Sequence, residues 1–266
     1  MKKLFFTSAL LILVMFTGLN SYAQAGITAS PSRLYFNNTA AGSKSQKIVV
    51  TNPSEKPLEI GVTIADWDYD SLGNNRIYDA GKLKTSASKS IKVLPGSYFT
   101  ILPNETKELT IQFKPTAQKT PYQTGMIFFT QLNPGAAAKS NGAALKVTVR
   151  IGVKVYYSSQ GESADAAIDI KDLKDVGEGA DKKLQLTLQN SSGSWVNGKC
   201  KWEVLNTASG SKTALPEQEF YTLPGDKRVL RLPVPGTLPK GKYTATAVLT
   251  YGKAKDVKVA ELEFQL

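Results

Sequence analysis

The sequence predicts an all-β chain built as two sandwiches in tandem. Three observations predict it. Short runs rich in β-branched and aromatic residues recur along the chain, separated by Pro/Gly/Asn turn signals, and this spacing is that of sandwich strands. Long stretches of helical periodicity are missing. A strand–turn–strand order is also used twice. Val50-Thr51-Asn52-Pro53-Ser54 parallels Leu188-Gln189-Asn190-Ser191-Ser192, and Leu102-Pro103-Asn104-Glu105-Thr106-Lys107-Glu108-Leu109 parallels Leu223-Pro224-Gly225-Asp226-Lys227-Arg228-Val229-Leu230. Pro121-Tyr122-Gln123-Thr124-Gly125 has a looser echo in Pro239-Lys240-Gly241-Lys242-Tyr243. Two immunoglobulin-like domains follow from that duplication.

In chain order, residues 1–25 read as a signal peptide: Lys2 and Lys3 precede an apolar stretch from Leu4 to Leu19, and Ala23-Gln24-Ala25 gives the small-x-small cleavage pattern. The stretch falls short of the ~20 residues a membrane span needs, so a cleaved, exported, periplasmic chain without stable membrane insertion is expected. The N-terminal domain is expected over 26–157. Its strands are an opening frame Gly26–Phe36, then Gln46–Thr51, Leu58–Ala65 after the Asn52-Pro53-Ser54 break, Leu109–Phe113, Met126–Leu132 and Leu145–Tyr157. Pro95-Gly96 and Pro103-Asn104 mark turns between them. Residues 158–167 (SSQGESADAA) have the small, polar character of a linker. The C-terminal domain, 168–266, carries strands over Leu184–Leu188 and Tyr243–Tyr251, with turns at Pro224-Gly225 and Pro235-Gly236. Asp175–Asp181 reads as a hairpin tip.

Without the first 25 of its 266 residues the chain keeps 241, enough for two ordinary domains, and its net charge falls from +11 to +9 with the loss of Lys2 and Lys3. The lysines are scattered singly, with no aromatic-interleaved basic run, so a solvated basic surface is expected and nucleic acid is not a partner. Cys200 is the sole cysteine, so no intrachain disulfide forms. Lys199 and Lys201 would lower its pKa, and burial would make it an inert thiol. Histidine is absent, which excludes His-based triads, His-ligated zinc and imidazole bases. Asp66, Asp68 and Asp70 alternate like the start of a calcium loop, but Ser71 stands where Gly is needed and Ile77 where a bidentate Glu belongs. A polar loop after a strand is expected there, with no metal and no cofactor. No G-x-S-x-G elbow, P-loop or dinucleotide fingerprint occurs, no carboxylate pair is singled out, and an enzyme is not expected. Trp67, Trp195 and Trp202 read as buried sandwich aromatics before a sugar platform.

Two frames carry a more specific message. Gly26-Ile27-Thr28-Ala29-Ser30-Pro31-Ser32-Arg33-Leu34-Tyr35-Phe36 opens the mature chain. Leu145-Lys146-Val147-Thr148-Val149-Arg150-Ile151-Gly152-Val153-Lys154-Val155-Tyr156-Tyr157 closes the first domain with strictly alternating apolar residues. Together with the two-sandwich plan, these frames resemble the periplasmic pilus (fimbrial) assembly chaperones of the chaperone–usher pathway. The resemblance covers 26–157 and reaches the second domain by architecture. It implies a chaperone that donates its last first-domain strand to an exported pilus subunit, with Leu145, Val147 and Val149 as inserting residues. It also implies that Arg33 and Lys154 meet in a cleft and hold the subunit's C-terminal carboxylate, with an outer-membrane usher as a further partner. The chain departs from the family where Ser158-Ser159 replaces Arg-Pro and where Tyr122–Met126 replaces an Arg-Glu-Ser stretch, which bears on the family's ionic link between domains and its usher contact. Strict alternation also sets Lys154 on the face opposite the Leu145 row. An exported structural or adhesive module is the alternative, and a carbohydrate-active enzyme with a carboxylate pair is a third reading.

Overall fold

The computed structural model describes residues 26–37, 44–115, 120–134, 138–140, 143–145, 147–159 and 166–266. The expected signal peptide and residues 160–165 of the expected linker lie outside the described residues. In the first sandwich, β1 (Thr28–Ser30), β3 (Ser45–Thr51), β6 (Ile91–Leu94) and β8 (Thr106–Phe113) form an antiparallel sheet in the order β1-β3-β8-β6. The facing sheet contains β2 (Arg33–Asn37), β4 (Leu58–Tyr69), β5 (Asn75–Tyr78), β7 (Tyr98–Ile101), β9 (Tyr122–Gln131) and β12 (Arg150–Ser158). Its order is β2-β12-β9-β4-β5, and β7 pairs with the start of β4. A separate hairpin joins β10 (Ala138–Ser140) to β11 (Ala143–Leu145).

The second sandwich opposes β13 (Ile168–Val176), β14 (Lys183–Asn190) and β17 (Lys227–Pro233) to a sheet of β15 (Val196–Asn206), β16 (Lys212–Thr222), β18 (Lys242–Tyr251) and β19 (Asp256–Gln265), ordered β16-β15-β18-β19. Among the described residues the regular structure besides strands is a single 3-10 turn, Gly179–Asp181, at the β13–β14 hairpin tip. No helix among them is long and apolar enough to cross a membrane.

Alternation builds both cores. Leu109, Ile111 and Phe113 of β8 point inward with Leu58 and Ile60 of β4 and Val153 and Val155 of β12. Every second residue of β18, from Tyr243 to Tyr251, is buried in the other core. Cys200 is fully buried there, and that burial pushes its thiol up to about 12, while Lys199 and Lys201 lie exposed on the other face of β15. All three tryptophans are buried.

The internal repeat is a repeat of hydrogen bonds. Asn52 accepts from the amide and hydroxyl of Ser54 (2.9 and 2.6 Å), and Asn190 accepts from those of Ser192 (2.9 and 2.6 Å). Both asparagines are fully buried at a sandwich corner. Asn52 donates to the carbonyls of Lys56, Ile101 and Leu102, and Asn190 to that of Ser194. Each Leu-Pro corner is closed by an acid accepting from the leucine amide, Glu105 from Leu102 and Asp226 from Leu223. Asn104 (φ 56°) and Gly225 (φ 80°) take the left-handed conformation this turn requires.

Two expectations are refined. The strand expected over Leu145–Tyr157 is interrupted: Leu145 ends β11, Val147–Val149 lie outside any strand, and β12 begins at Arg150. Lys154 N is paired with Ser32 O at 3.0 Å, and β2 accompanies β12 only from Lys154 onward, so among the described residues Arg150–Val153 pair with β9 alone. The Asp66–Asp70 stretch is the end of β4 and its turn, with each carboxylate engaged. Asp66 accepts from Leu83 N and Ser86 Oγ, Asp68 from Arg76, and Asp70 from Leu72 N and Asn74. Among the described residues no group of three His, Cys, Asp or Glu could hold a metal.

Candidate functional site

A third apolar cluster lies between the sandwiches. Trp67 and Tyr69 of β4, Met126 and Phe128 of β9, and Tyr156 of β12 pack with Trp195 and Leu223 of the second domain. The parity of β12 explains it. Val153 and Val155 face the first core, so Lys154 and Tyr156 face the second domain. Tyr35 stacks on Tyr156 (centroids 4.9 Å) and lies 5.6 Å from Trp195, and Trp67 meets Tyr156 edge-on at 5.2 Å.

Arg33 and Lys154, 121 positions apart, are direct partners in the parallel β2–β12 ladder, so both side chains leave the same face of the sheet. Lys154 Nζ donates to the Tyr69 hydroxyl (2.9 Å) and lies 4.6 Å from the Trp67 ring centroid and 4.4 Å from that of Tyr69. The Tyr69 and Tyr156 hydroxyls are 3.2 Å apart. The guanidinium carbon of Arg33 stands 4.1 Å over the ring of Tyr221, a residue of the second domain. Arg33 Nε is buried without a hydrogen-bond partner.

A third cation completes the cluster. Arg228 is 3% exposed, lies 4.7 Å over the Tyr69 ring, donates from its guanidinium to the Tyr221 carbonyl, and leaves its Nε unpartnered. Among the described residues no carboxylate forms an ion pair with Arg33, Lys154 or Arg228. Burial, with the charges of Arg33 and Arg228 added to it, lowers Lys154 to about 8. Burial raises the phenols of Tyr69, Tyr156 and Tyr221, so none of them supplies a compensating negative charge near neutrality. Part of the repulsion is offset by ring faces, each cation–π contact contributing about 0.5–2 kcal/mol. The arrangement is chemically suited to accept an anion.

The residues expected to form the donor strand lie upstream of this cluster. Val147 is 59% exposed, Val149 packs partly on the first core with its carbonyl accepting from Gln131 N at 2.9 Å, and Leu145 N-terminal to them pairs with Ala138. Val149 packs against the same core as Val153, on the face opposite Lys154.

Arg33 and Lys154, expected from the sequence to meet, are brought together; Arg228, Tyr69 and Tyr221, which join them here, were not expected. A signal for Arg228 was present in the repeat. Arg228 stands where Lys107 stands in the first copy, and Tyr221 where Thr100 stands. Lys107 Nζ donates to the Thr100 carbonyl (3.4 Å) as Arg228 donates to that of Tyr221.

No protein-family model matches the chain, and no curated protein matches it. Solved structures similar to it include the CupB2 chaperone of Pseudomonas aeruginosa, at 12% identity over 88% of this chain and 98% of that one, with a TM-score of 0.44. The CsuC–CsuE chaperone–tip adhesion subunit complex of Acinetobacter baumannii matches at 13% identity over 89% and 98%, TM-score 0.47. The Salmonella enterica SafA pilin in complex with the SafB chaperone matches at 12% over 91% and 97%, TM-score 0.45.

Proposed function

We propose that this chain is a periplasmic chaperone that caps exported pilus- or fimbrial-type subunits, lending them a strand and holding their C-terminal carboxylate between Arg33 and Lys154. The observation that carries the reading is the placement of two adjacent cations, without a carboxylate partner among the described residues, at the head of a strand edge that no described strand pairs. Arg150–Val153 of β12 pair with β9 on one side, and β2 joins the other side only at Lys154. A subunit strand lying on that free edge in line with β2 would run parallel to β12. Its last residue would then stop where β2 begins, beside Arg33 and Lys154. Parallel addition at this edge supplies backbone hydrogen bonds, and the row Leu145, Val147 and Val149 supplies side chains to a partner core.

Magnitudes favour joint action. Three buried aliphatic side chains contribute about 5–9 kcal/mol gross, against an association cost of about 4–15 kcal/mol. A charge-assisted hydrogen bond adds about 1.5–3 kcal/mol, so the anchor tips the balance. An outer-membrane usher would receive the loaded complex.

The test is a pull-down from the periplasmic fraction with wild type and the Arg33→Ala/Lys154→Ala double variant, with mass spectrometry of the eluates and circular dichroism of both proteins. A small exported β-protein retained by wild type and lost by a folded double variant supports the reading. If neither folded protein retains such a partner, the exported structural or adhesive module takes its place.

A further inference from the structure

We propose that the second domain is part of the carboxylate anchor, with Arg228 as the positioning residue that sets both anchor cations. The inference rests on the carboxylate-anchor reading and goes beyond it, since strand donation and the Arg33–Lys154 pair involve the first domain alone. Each anchor cation stands on a tyrosine, Lys154 on Tyr69 and Arg33 on Tyr221, and Arg228 engages both tyrosines. Its guanidinium covers the Tyr69 ring while donating to the Tyr221 carbonyl. The contacts therefore close a circuit from Lys154 through Tyr69, Arg228 and Tyr221 to Arg33.

Arg228 is itself fixed from the first domain. The β4–β5 turn reaches across so that Ser71 O accepts from Val229 N at 2.7 Å. Gly73 of the same turn (φ +96°) lies so close that a Cβ there would overlap the Arg228 guanidinium. The turn holds its shape through Asp70, which accepts from Leu72 N and Asn74 N at 2.9 Å each. With 3% exposure Arg228 does not reach a ligand, so its role is to place the groups that do. A lysine there would keep the charge but lose the planar face and the fork that engage two tyrosines at once.

The experiment compares binding of a fluorescent peptide ending in a free carboxylate with binding of its C-terminal amide. The peptide is an alternating Val/Thr sequence of about ten residues, long enough at ~3.3 Å per residue to cover the free β12 edge. The ratio of the two affinities isolates the anchor from strand pairing. Arg228→Met and Arg228→Lys are each expected to reduce the wild-type ratio by about tenfold, a loss of ~1.4 kcal/mol, with the amide binding unchanged. A ratio preserved in Arg228→Lys but not in Arg228→Met would mean that Arg228 supplies charge alone and would overturn the positioning role. A ratio preserved in both would overturn any role. A wild-type ratio of one refutes the anchor reading itself, and this inference with it. Should the Arg228 variants not fold, Gly73→Ala displaces the guanidinium from outside the cleft and must reduce the ratio in the same way.

Discussion

Raising the pH should release an anchored carboxylate well before any other group in the cleft responds. Lys154 is lowered to about 8, first by burial and then by Arg33 and Arg228. A bound carboxylate favours the charged ammonium and restores its pKa toward the ordinary lysine value of ~10.4. Binding of the carboxylate therefore takes up a proton between those two values. With a free-state pKa of about 8, the charged fraction of Lys154 falls from roughly nine-tenths at pH 7 to roughly one-tenth at pH 9. Affinity for a free-carboxylate peptide should fall by about tenfold over that interval.

The neighbouring groups leave this window clear. Burial holds Tyr69, Tyr156 and Tyr221 above their ordinary phenol range, and Asp226 is raised by burial to about 6, below the window. Calorimetry in buffers of different ionisation enthalpy should find nearly one proton taken up per peptide near pH 9. The peptide amide should show no such slope, and Lys154→Ala should flatten it. A flat profile in wild type, or a slope that survives Lys154→Ala, refutes the reasoning.

The duplicated corners predict unequal costs. Asn52→Ala removes three side-chain bonds to carbonyls and should cost about 2–4 kcal/mol in urea melts, whereas Asn190→Ala removes one and should cost about 1–2 kcal/mol; equal costs would contradict the hydrogen-bond account. Gly198→Ala would set a Cβ 2.6 Å from both Phe220 Cζ and the Thr250 carbonyl oxygen. It should lower the melting transition of the second sandwich by the equivalent of about 2–3 kcal/mol, and an unchanged transition would show that β15 can shift away from β18. Asp226 has its folded-state pKa raised to about 6, so its charged form opposes folding as the pH rises from the unfolded value through that point. Asp226→Asn should stabilise the protein by about 1 kcal/mol near neutrality and by nothing near pH 4, as read from denaturant midpoints at both pH values.

The sandwiches and the repeat were legible because they are written in local patterns. Alternation in β8 and β18 and the Asn-x-Ser and Leu-Pro corners each report a backbone requirement within a few residues. Arg33 and Lys154 were legible through the frames around them. Arg228 was not, because its burial depends on a turn about 155 residues upstream meeting β17, a contact that no local periodicity encodes. The break before β12 was hidden for a related reason: Val147 and Val149 continue the alternation of Val153 and Val155, but β9 ends at Gln131, before it could pair with them. Alternation specifies which way side chains point and is silent on whether a neighbouring strand is present.

That silence is where the site resides. A strand whose alternation continues beyond its last partner leaves both an apolar row and an unpaired edge, which a self-contained sandwich would be expected to cover. At the point where β2 joins β12, two cations face the other domain, a third is buried behind them, and an aromatic face covers each of the three. Packing alone would favour a neutral residue at position 154, since lowering Lys154 to about 8 means that the folded chain disfavours its charge. Lys154→Met should therefore raise the melting temperature at pH 7, by ~2–4 °C for about 1 kcal/mol in a chain of this size, while removing the preference for a peptide carboxylate over its amide. A variant more stable and less able to bind is the signature of a charge kept for a partner; a variant that loses stability would place Lys154 among the groups that hold the two domains together.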